Sequence, residues 1–351
     1  MAVYLSNDDV RQVLTMSACI EAFDSALQEL AEGRAANEPR SHGYLAGPRD
    51  GTVFRMKLFH GGVTALGMYA LRVLTDFLEP RTVAGMERET QERRFNKILV
   101  FSLETGDLVG VVEDDFLQRL RVGAESAVVA RRLARHDAEV VGLLGSGRQA
   151  VTQLLGLAEV RPLREVRVFS PTAARRQDFA VRMSDRLGIP VVAVDEAVAA
   201  VRGADIVVAA TNTTEPVLHG AWLEPGMHVI SLVNSDKRLR RREVDDEVLR
   251  RCDPIIISAR DQVANDEPAD IFDPLRAGII QWDALTPMVE LFASDHPGRL
   301  RDDQITLHKN NGLAIQFVAA AAVALQAACE RGLGEKLPEL LSSSGRQSRL
   351  V

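Results

Sequence analysis

Glu139-Val-Val-Gly-Leu-Leu-Gly-Ser-Gly-Arg-Gln-Ala150 is the stretch whose reading decides the fold. Val140 to Leu144 is a short apolar run with β-branched residues. It leads directly into Gly145-x-Gly147-x-x-Ala150, and a helical pattern follows from Gln149 to Val160. Strand, glycine turn and helix in that order are what a dinucleotide-binding turn requires. Gly145 allows the tight reversal, Gly147 lets the backbone approach a pyrophosphate, and the small Ala150 lets the helix pack closely on the strand. Phosphates would then sit on the N–H groups of the helix start, around Arg148 and Gln149, where the helix dipole favours negative charge. Many glycine-rich turns bind nothing, but here the flanking strand and helix are both readable.

Working outward, Glu165-Val-Arg-Val-Phe-Ser170 reads as a second strand, about 25 residues after the first glycine, as a βαβ unit needs. Thr172 to Leu187 is helical in pattern, and Ile189 to Val194 is another strand. Asp195 to Arg202 reads as a short helix with Asp195 as N-cap. Asp205 to Thr211 and Met227 to Val233 read as a fourth and a fifth strand. Short apolar strands alternating with helices give a Rossmann-type, doubly wound parallel sheet covered on both faces. The fold class is α/β, and the sheet segment spans about 137 to 305.

Composition narrows the function classes. A chain of 351 residues is long for one core, so two domains are expected. Hydrophobic content of 46% with 26% charged residues suits a globular protein. The net charge of −7 argues against nucleic acid or an anionic membrane surface as a partner. Arg238-Leu-Arg-Arg-Arg242 is followed by Glu243, Asp245, Asp246 and Glu247, which reads as a solvated helix start. Cys19, Cys252 and Cys329 form no Cys-x-x-Cys pair, which points to a reduced, cytoplasmic interior. The first residues show no signal-peptide pattern. Gly312 to Cys329, broken by Gln316 and Gln326, reads as a buried core or dimer-interface helix rather than a membrane span. The seven histidines show no metal-ligand spacing, so no metal is expected. Hydrolase and NTPase motifs are also missing from the sequence.

The first 130 residues have another texture. Asn7 or Asp8 can cap a helix running to about Glu32, and Gly51 to Leu58 and Ala65 to Phe77 read as strands. Lys97 to Leu103 and Leu108 to Val112 flank Glu104-Thr-Gly-Asp107, a hairpin signal. Phe116 to Arg135 is a long helical pattern rich in small residues. Residues after 341 form a polar tail.

Taken together, these segments resemble the ornithine cyclodeaminase and mu-crystallin family. The marks are Glu38-Pro-Arg40, Glu104-Thr-Gly-Asp107, Leu120-Arg-Val-Gly-Ala-Glu-Ser-Ala127, Leu133-Ala-Arg-His-Asp137, the glycine motif, Arg242-Glu-Val-Asp245, and Ile305 to Gln316. Their number and order carry the resemblance. It implies a Rossmann domain, residues 131–309, inserted into an α+β domain made of 1–130 and 310–345 that binds substrate and forms a homodimer, with 346–351 as a tail. It also implies NAD(P)-dependent oxidoreduction at the C–N bond of an amino acid or its imine. Two other activities occur in the family: a cyclodeaminase that recycles its NAD, and a mu-crystallin-like binding protein without turnover.

Site residues follow from the matched motifs. Arg40 would hold the substrate carboxylate, for which a five-donor guanidinium is suited; the other reading is a surface arginine after proline. Arg121 would reach the substrate carboxylate or the cofactor phosphates, or else form an ion pair with Glu113 or Asp114. Arg72 stands where the family commonly has a lysine that binds substrate and handles protons. An arginine keeps the carboxylate clamp but is a poor general acid, which leaves Asp76, His60 and His308 as further candidates. Asp236 resembles the family's base, one residue out of the expected spacing, or is a turn aspartate. Gln316-Phe317 departs from the family's Gln-Asp. Thr211 and Asn212 would lie beside the nicotinamide ribose, with His308 and Lys309 near the nicotinamide; Lys309 also reads as a surface residue at a helix start. Ser170 occupies the place where an NAD-preferring domain has a carboxylate for the ribose 2′-OH. With Thr172, Arg175 and Arg176 following, NADP is favoured over NAD.

Overall fold

The protein is described here by a computed structural model covering residues 2–83, 86–238, 240–293 and 296–338, without the side chains of 80–83 and 86–93. The expected polar tail lies outside the described residues. Two compact units form: residues 1–118 with 313–351, and residues 119–312.

The second unit is built on an eight-stranded sheet. Its spatial order is Val191–Ala193, Glu165–Phe169, Val140–Leu144, Ile206–Ala209, His228–Ser231, Thr306–Lys309, Ile255–Ile257 and Leu285–Pro287. Every neighbouring pair is parallel. The order reverses beside Val140–Leu144, so the glycine turn sits at the point where chain connections leave in opposite directions, the usual ligand crevice of such sheets. Both faces are covered. Leu143, Val166 and Val208 pack with Leu154 and Phe179 on one side, and Leu144, Val207, Val229 and Leu307 pack with Val201 and Val248 on the other. Burial on both faces is why these strands read as continuous apolar runs.

Three strands of this sheet escaped the sequence reading: Ile255–Ile257, Leu285–Pro287 and Thr306–Lys309. Each is only three or four residues long, too short for a period to show. Thr306–Lys309 lies inside the sheet, between His228–Ser231 and Ile255–Ile257, so the sheet segment does not stop at 305. The helix after the expected Asp195 cap is Ala197–Val201, with Glu196 at its N-cap position and no side-chain cap. Asp195 instead pairs with Arg176. Arg240 to Arg242 does not start a helix; the next helix is Asp246–Arg251, capped by the Asp245 carboxylate on the Val248 N–H at 3.0 Å.

The helix Phe116–Leu133 begins in the first unit, and from Arg119 it belongs to the second. The sequence reading ran this helix from Phe116 to Arg135, across a boundary at 130. Its small residues allow close packing: a Cβ added to Gly156 of the helix Arg148–Val160 would sit 2.6 Å from the Gly123 carbonyl, so the two helices approach almost backbone to backbone.

The first unit is a mixed sheet ordered Glu335–Lys336, Val3–Leu5, Leu108–Glu113, Met86–Ser102, Met68–Val83, Val53–Val63 and Ala35–Asn37, with Ser41–Ala46 also paired to Val53–Val63. The helix Ile315–Glu330 packs on the helix Met16–Ala31 and on the central strands. The single helix expected up to Glu32 is two, Asn7–Val13 and Met16–Ala31. Ser6 caps the first through a capping box, and Thr15 caps the second, so Thr15 restarts the helix where a continuous pattern had been read. Among the described residues no helix is long and apolar enough to cross a membrane.

Candidate active site

Building from the glycine turn, Gly145 adopts φ +111°, and a Cβ there would meet the Ala210 carbonyl at 2.4 Å. Only glycine fits that backbone at that spacing. Gly147 is the N-cap of the helix Arg148–Val160 and makes no side-chain cap. A Cβ on Gly147 would meet nothing within 4 Å, so the N–H groups of the first turn open onto uncrowded space. Ala150 is fully buried, as a close helix–strand contact needs, whereas Arg148 is exposed. A cradle of free first-turn donors with no side chain in front of it fits a dinucleotide pyrophosphate.

The end of the second strand carries no carboxylate. Ser170 Oγ lies 2.9 Å from Ser146 Oγ, which ties this strand end to the glycine turn. Arg176 is buried, donates to the Ser170 carbonyl at 3.1 Å and pairs with Asp195. It therefore braces the loop. Arg175 and Thr172 are exposed at the start of the helix Ala173–Leu187.

At the carboxyl ends of the fourth and fifth strands a buried carboxylate collects the loops. Glu243 accepts from Thr211 N at 2.6 Å, Thr211 Oγ1 at 2.9 Å, Ser231 Oγ at 2.9 Å, and Leu232 N and Val233 N at 2.7 Å. Asp270 accepts from Glu243 N at 2.9 Å and from Lys309 Nζ at 2.6 Å. Lys309 also donates to Ser231 Oγ and to the Val233 carbonyl, both at 3.0 Å. Lys309 is thus a fully buried strand residue, not the surface residue at a helix start, because Asp270 compensates its charge. Thr211 is tied to Glu243, Asn212 is exposed, and Asp236 is buried with Arg238 N donating to it at 3.1 Å.

His308 is buried within the sheet, its Nε2 3.5 Å from Glu125. Arg121 pairs with Glu125 at 4.0 Å, and Ser258 Oγ donates to Glu125 at 2.7 Å. Burial pushes the Glu125 carboxyl up, but the His308 contact and the Arg121 charge outweigh it and leave the group below its ordinary value.

In the first unit the chemistry lies on one face of the sheet. Arg55, Lys57 and Phe59 alternate along Val53–Val63 and so share a side. Phe59 pairs across the ladder with Arg72, and Arg55 with Asp76. Arg72 donates through Nε to the buried Asp114 and through Nη2 to Asn96 at 3.0 Å. Its guanidinium lies 5.1 Å from the Phe59 ring centre and 4.8 Å from that of Phe317. Arg40 stacks on the other neighbour, 5.6 Å from Phe59. Two of the three departures from the family pattern, Arg72 and Phe317, therefore touch each other: a phenyl ring in place of the acid offers a flat face to a flat cation. Asp76 is held by Arg55 through two hydrogen bonds. His60 is bound to Tyr69 at 2.8 Å. Among the described residues no cluster of metal-ligating groups occurs.

Sequence reading missed Arg55, Lys57, Asn96 and Asp114. The available signal was Arg55-x-Lys57-x-Phe59, charged residues at the inward positions of a strand.

Comparison with known proteins follows the same lines. The chain is 26% identical over 335 residues to the Delta(1)-pyrroline-2-carboxylate reductase of Bacillus cereus, covering 95% of this chain and 98% of that one. It is 25% identical over 323 residues to the ketimine reductase mu-crystallin of Macropus fuliginosus, covering 91% and 95%. The structure of Thermococcus litoralis Delta(1)-pyrroline-2-carboxylate reductase in complex with NADH and L-proline superposes with a TM-score of 0.83 at 27% identity, covering 95% of this chain and all of that one. The profile described as "Ornithine cyclodeaminase/mu-crystallin family" matches residues 2–331, and the chain belongs to that family.

Proposed function

We propose that this protein is an NAD(P)-dependent oxidoreductase that interconverts an α-imino acid and the corresponding amino acid. The observation that carries the reading is the buried pair Arg40 and Arg72 stacked on Phe59, a carboxylate-binding arrangement in a chain that also has an open dinucleotide turn. Arg72 is held flat and immobile by Asp114, Asn96 and two phenyl rings, which prepares its remaining donors for a planar carboxylate. When bound, the reduced nicotinamide supplies hydride to a C=N carbon. The chain's own task is to orient the carboxylate through Arg40 and Arg72 and to move one proton at the nitrogen. Asp236 is the group we assign to that proton, since Arg72 stays charged at any working pH. Glu243 and Lys309 are positioning residues: they tie together the strand ends around Thr211, Leu232 and Val233.

NADP(H) is the cofactor we infer over NAD(H). Ser170 brings no negative charge against a 2′-phosphate, and Arg175 stands exposed on the following helix turn. Arg176 supports this loop from below instead of reading the phosphate. The working form is proposed to be a homodimer.

The experiment is a panel of 2-oxo acids with ammonia or methylamine, and of cyclic imines, followed by nicotinamide absorbance at 340 nm. Stoichiometric NADPH consumption is the expected result. Ammonia release from a diamino acid without net NADPH consumption would instead identify a cyclodeaminase.

A further inference from the structure

We propose that the buried carboxylates Asp270 and Glu243 set the redox balance of the bound dinucleotide: their net negative charge favours the oxidised nicotinamide over the reduced one and makes the reduced cofactor a stronger hydride donor. This rests on the reading above and deepens it by giving the site a preferred direction on the enzyme, imine to amino acid.

Asp270, Glu243 and Lys309 are all buried in the second unit. Asp270 accepts from Lys309 Nζ, from the Glu243 and Val244 N–H groups and from Ser231 Oγ. Glu243 accepts from three backbone N–H groups and two hydroxyls. Among the described residues, Lys309 is the one cation bonded to either carboxylate, and every other partner is neutral. One ammonium against two carboxylates leaves a single negative charge. Burial raises the Glu243 carboxyl, but three backbone N–H groups on its two oxygens favour the charged form and keep it a carboxylate at neutral pH.

Sheet order places this charge at one end of the dinucleotide. Glu165–Phe169, which ends at Ser170, lies on one side of the glycine turn, and Ile206–Ala209 and His228–Ser231 lie on the other. With the pyrophosphate on the turn and the adenosine ribose at Ser170, the nicotinamide belongs on the side of Thr211 and Val233. Glu243 binds the N–H groups of both these residues, and Lys309 binds the Val233 carbonyl. The anionic cluster therefore lies directly behind the strand ends on the nicotinamide side.

A nicotinamide ring is neutral when reduced. It carries one positive charge once hydride has left with both electrons of the C–H bond. The rest of the dinucleotide keeps its charge, so a fixed charge nearby changes the relative affinity of the two forms. At an effective dielectric constant of about 20, a unit charge about 10 Å away changes that ratio by about tenfold. If the three residues only tied the strand ends together, removing a charge would weaken both forms alike.

The test is calorimetric titration of the full chain, without substrate, with NADP+ and NADPH and with NAD+ and NADH. Wild-type protein should bind the oxidised member of its preferred pair at least as tightly as the reduced one. Asp270→Asn and Glu243→Gln each remove one negative charge with little change of shape. Each should shift the affinity ratio toward the reduced form by about fivefold or more. Ser231→Ala removes a hydrogen bond from the same cluster but no charge, so its ratio should match wild type even where both affinities fall. A melting curve shows that each variant is folded, and the wild-type ratio decides for any that is not. Tighter binding of the reduced form by wild type, or equal weakening of both forms in Asp270→Asn and Glu243→Gln, overturns the proposal and leaves the reductase reading standing. The expected ratios in a protein that reduces no imine uphold the role of the cluster and remove the reductase reading. No binding of any dinucleotide overturns both.

Discussion

At the residue scale, Arg72 is both a ligand-binding group and half of a buried ion pair, and the two roles can be separated. Replacing it by methionine removes a charge partner of Asp114, which is fully buried, and should cost about 3–5 kcal/mol in denaturant unfolding. Arg72→Met with Asp114→Asn should recover more than half of that loss, because both charges are then gone. Purely additive costs would show that the pair is not coupled. Arg175 and Arg176 separate in the same way. Arg175→Ala should weaken NADPH binding about tenfold with little effect on NADH, as expected for one charge-assisted contact to phosphate. Arg176→Ala should lower the melting temperature and weaken both cofactors alike, since it braces the Ser170 loop. Fluorescence titration of both reduced cofactors decides; equal loss of NADH and NADPH in the Arg175 variant counts against a 2′-phosphate reader.

Among the elements, the glycine turn makes two opposite demands on neighbouring residues. Gly145→Ala forces a Cβ into the Ala210 carbonyl at positive φ and should destabilise the fold by about 1–3 kcal/mol. Gly147→Ala meets open space, so stability should stay within about 1 kcal/mol while dinucleotide affinity falls, because the methyl group occupies the phosphate approach. A Gly147→Ala protein that unfolds earlier but binds cofactor normally would reverse the assignment. The strand Leu108–Glu113 makes a pH-dependent prediction. Burial raises the Glu113 carboxyl, but Lys97, the Asn7 N–H and Tyr4 outweigh it and hold the group at about 2, against 4.5 ordinarily. A depressed carboxyl contributes stability that is present above pH 4.5 and lost as pH falls toward 2. Glu113→Gln should therefore cost about 1–2 kcal/mol at pH 7, discounted for its partial exposure, and nearly nothing near pH 2. A difference that is flat across this window would mean the Lys97 contact carries no linkage.

For the whole molecule, sedimentation equilibrium should give twice the mass of one chain, in keeping with the proposed homodimer; a monomer at micromolar concentration would refute it. What the sequence determined by itself is local and periodic. The run Val140 to Leu144 with its glycines, the alternating strands and helices to Ser231, and the Glu104-Thr-Gly-Asp107 hairpin are all patterns within a few residues. Each is written within one element, in its period and the turn residues that bound it, so its signature survives in one dimension. Tertiary structure decided the rest. Short strands such as Thr306–Lys309 are strands only because neighbours on both sides accept their hydrogen bonds. Lys309 is buried only because Asp270, 39 residues earlier, is there to hold it. Arg72 meets Asp114 across 42 residues and Phe317 across far more. Charge compensation and aromatic stacking act over a few ångströms whatever the separation along the chain, so no spacing in the sequence announces them. That is why the cofactor turn was legible as a motif, while the charged inner face of the first unit became visible only in the folded protein.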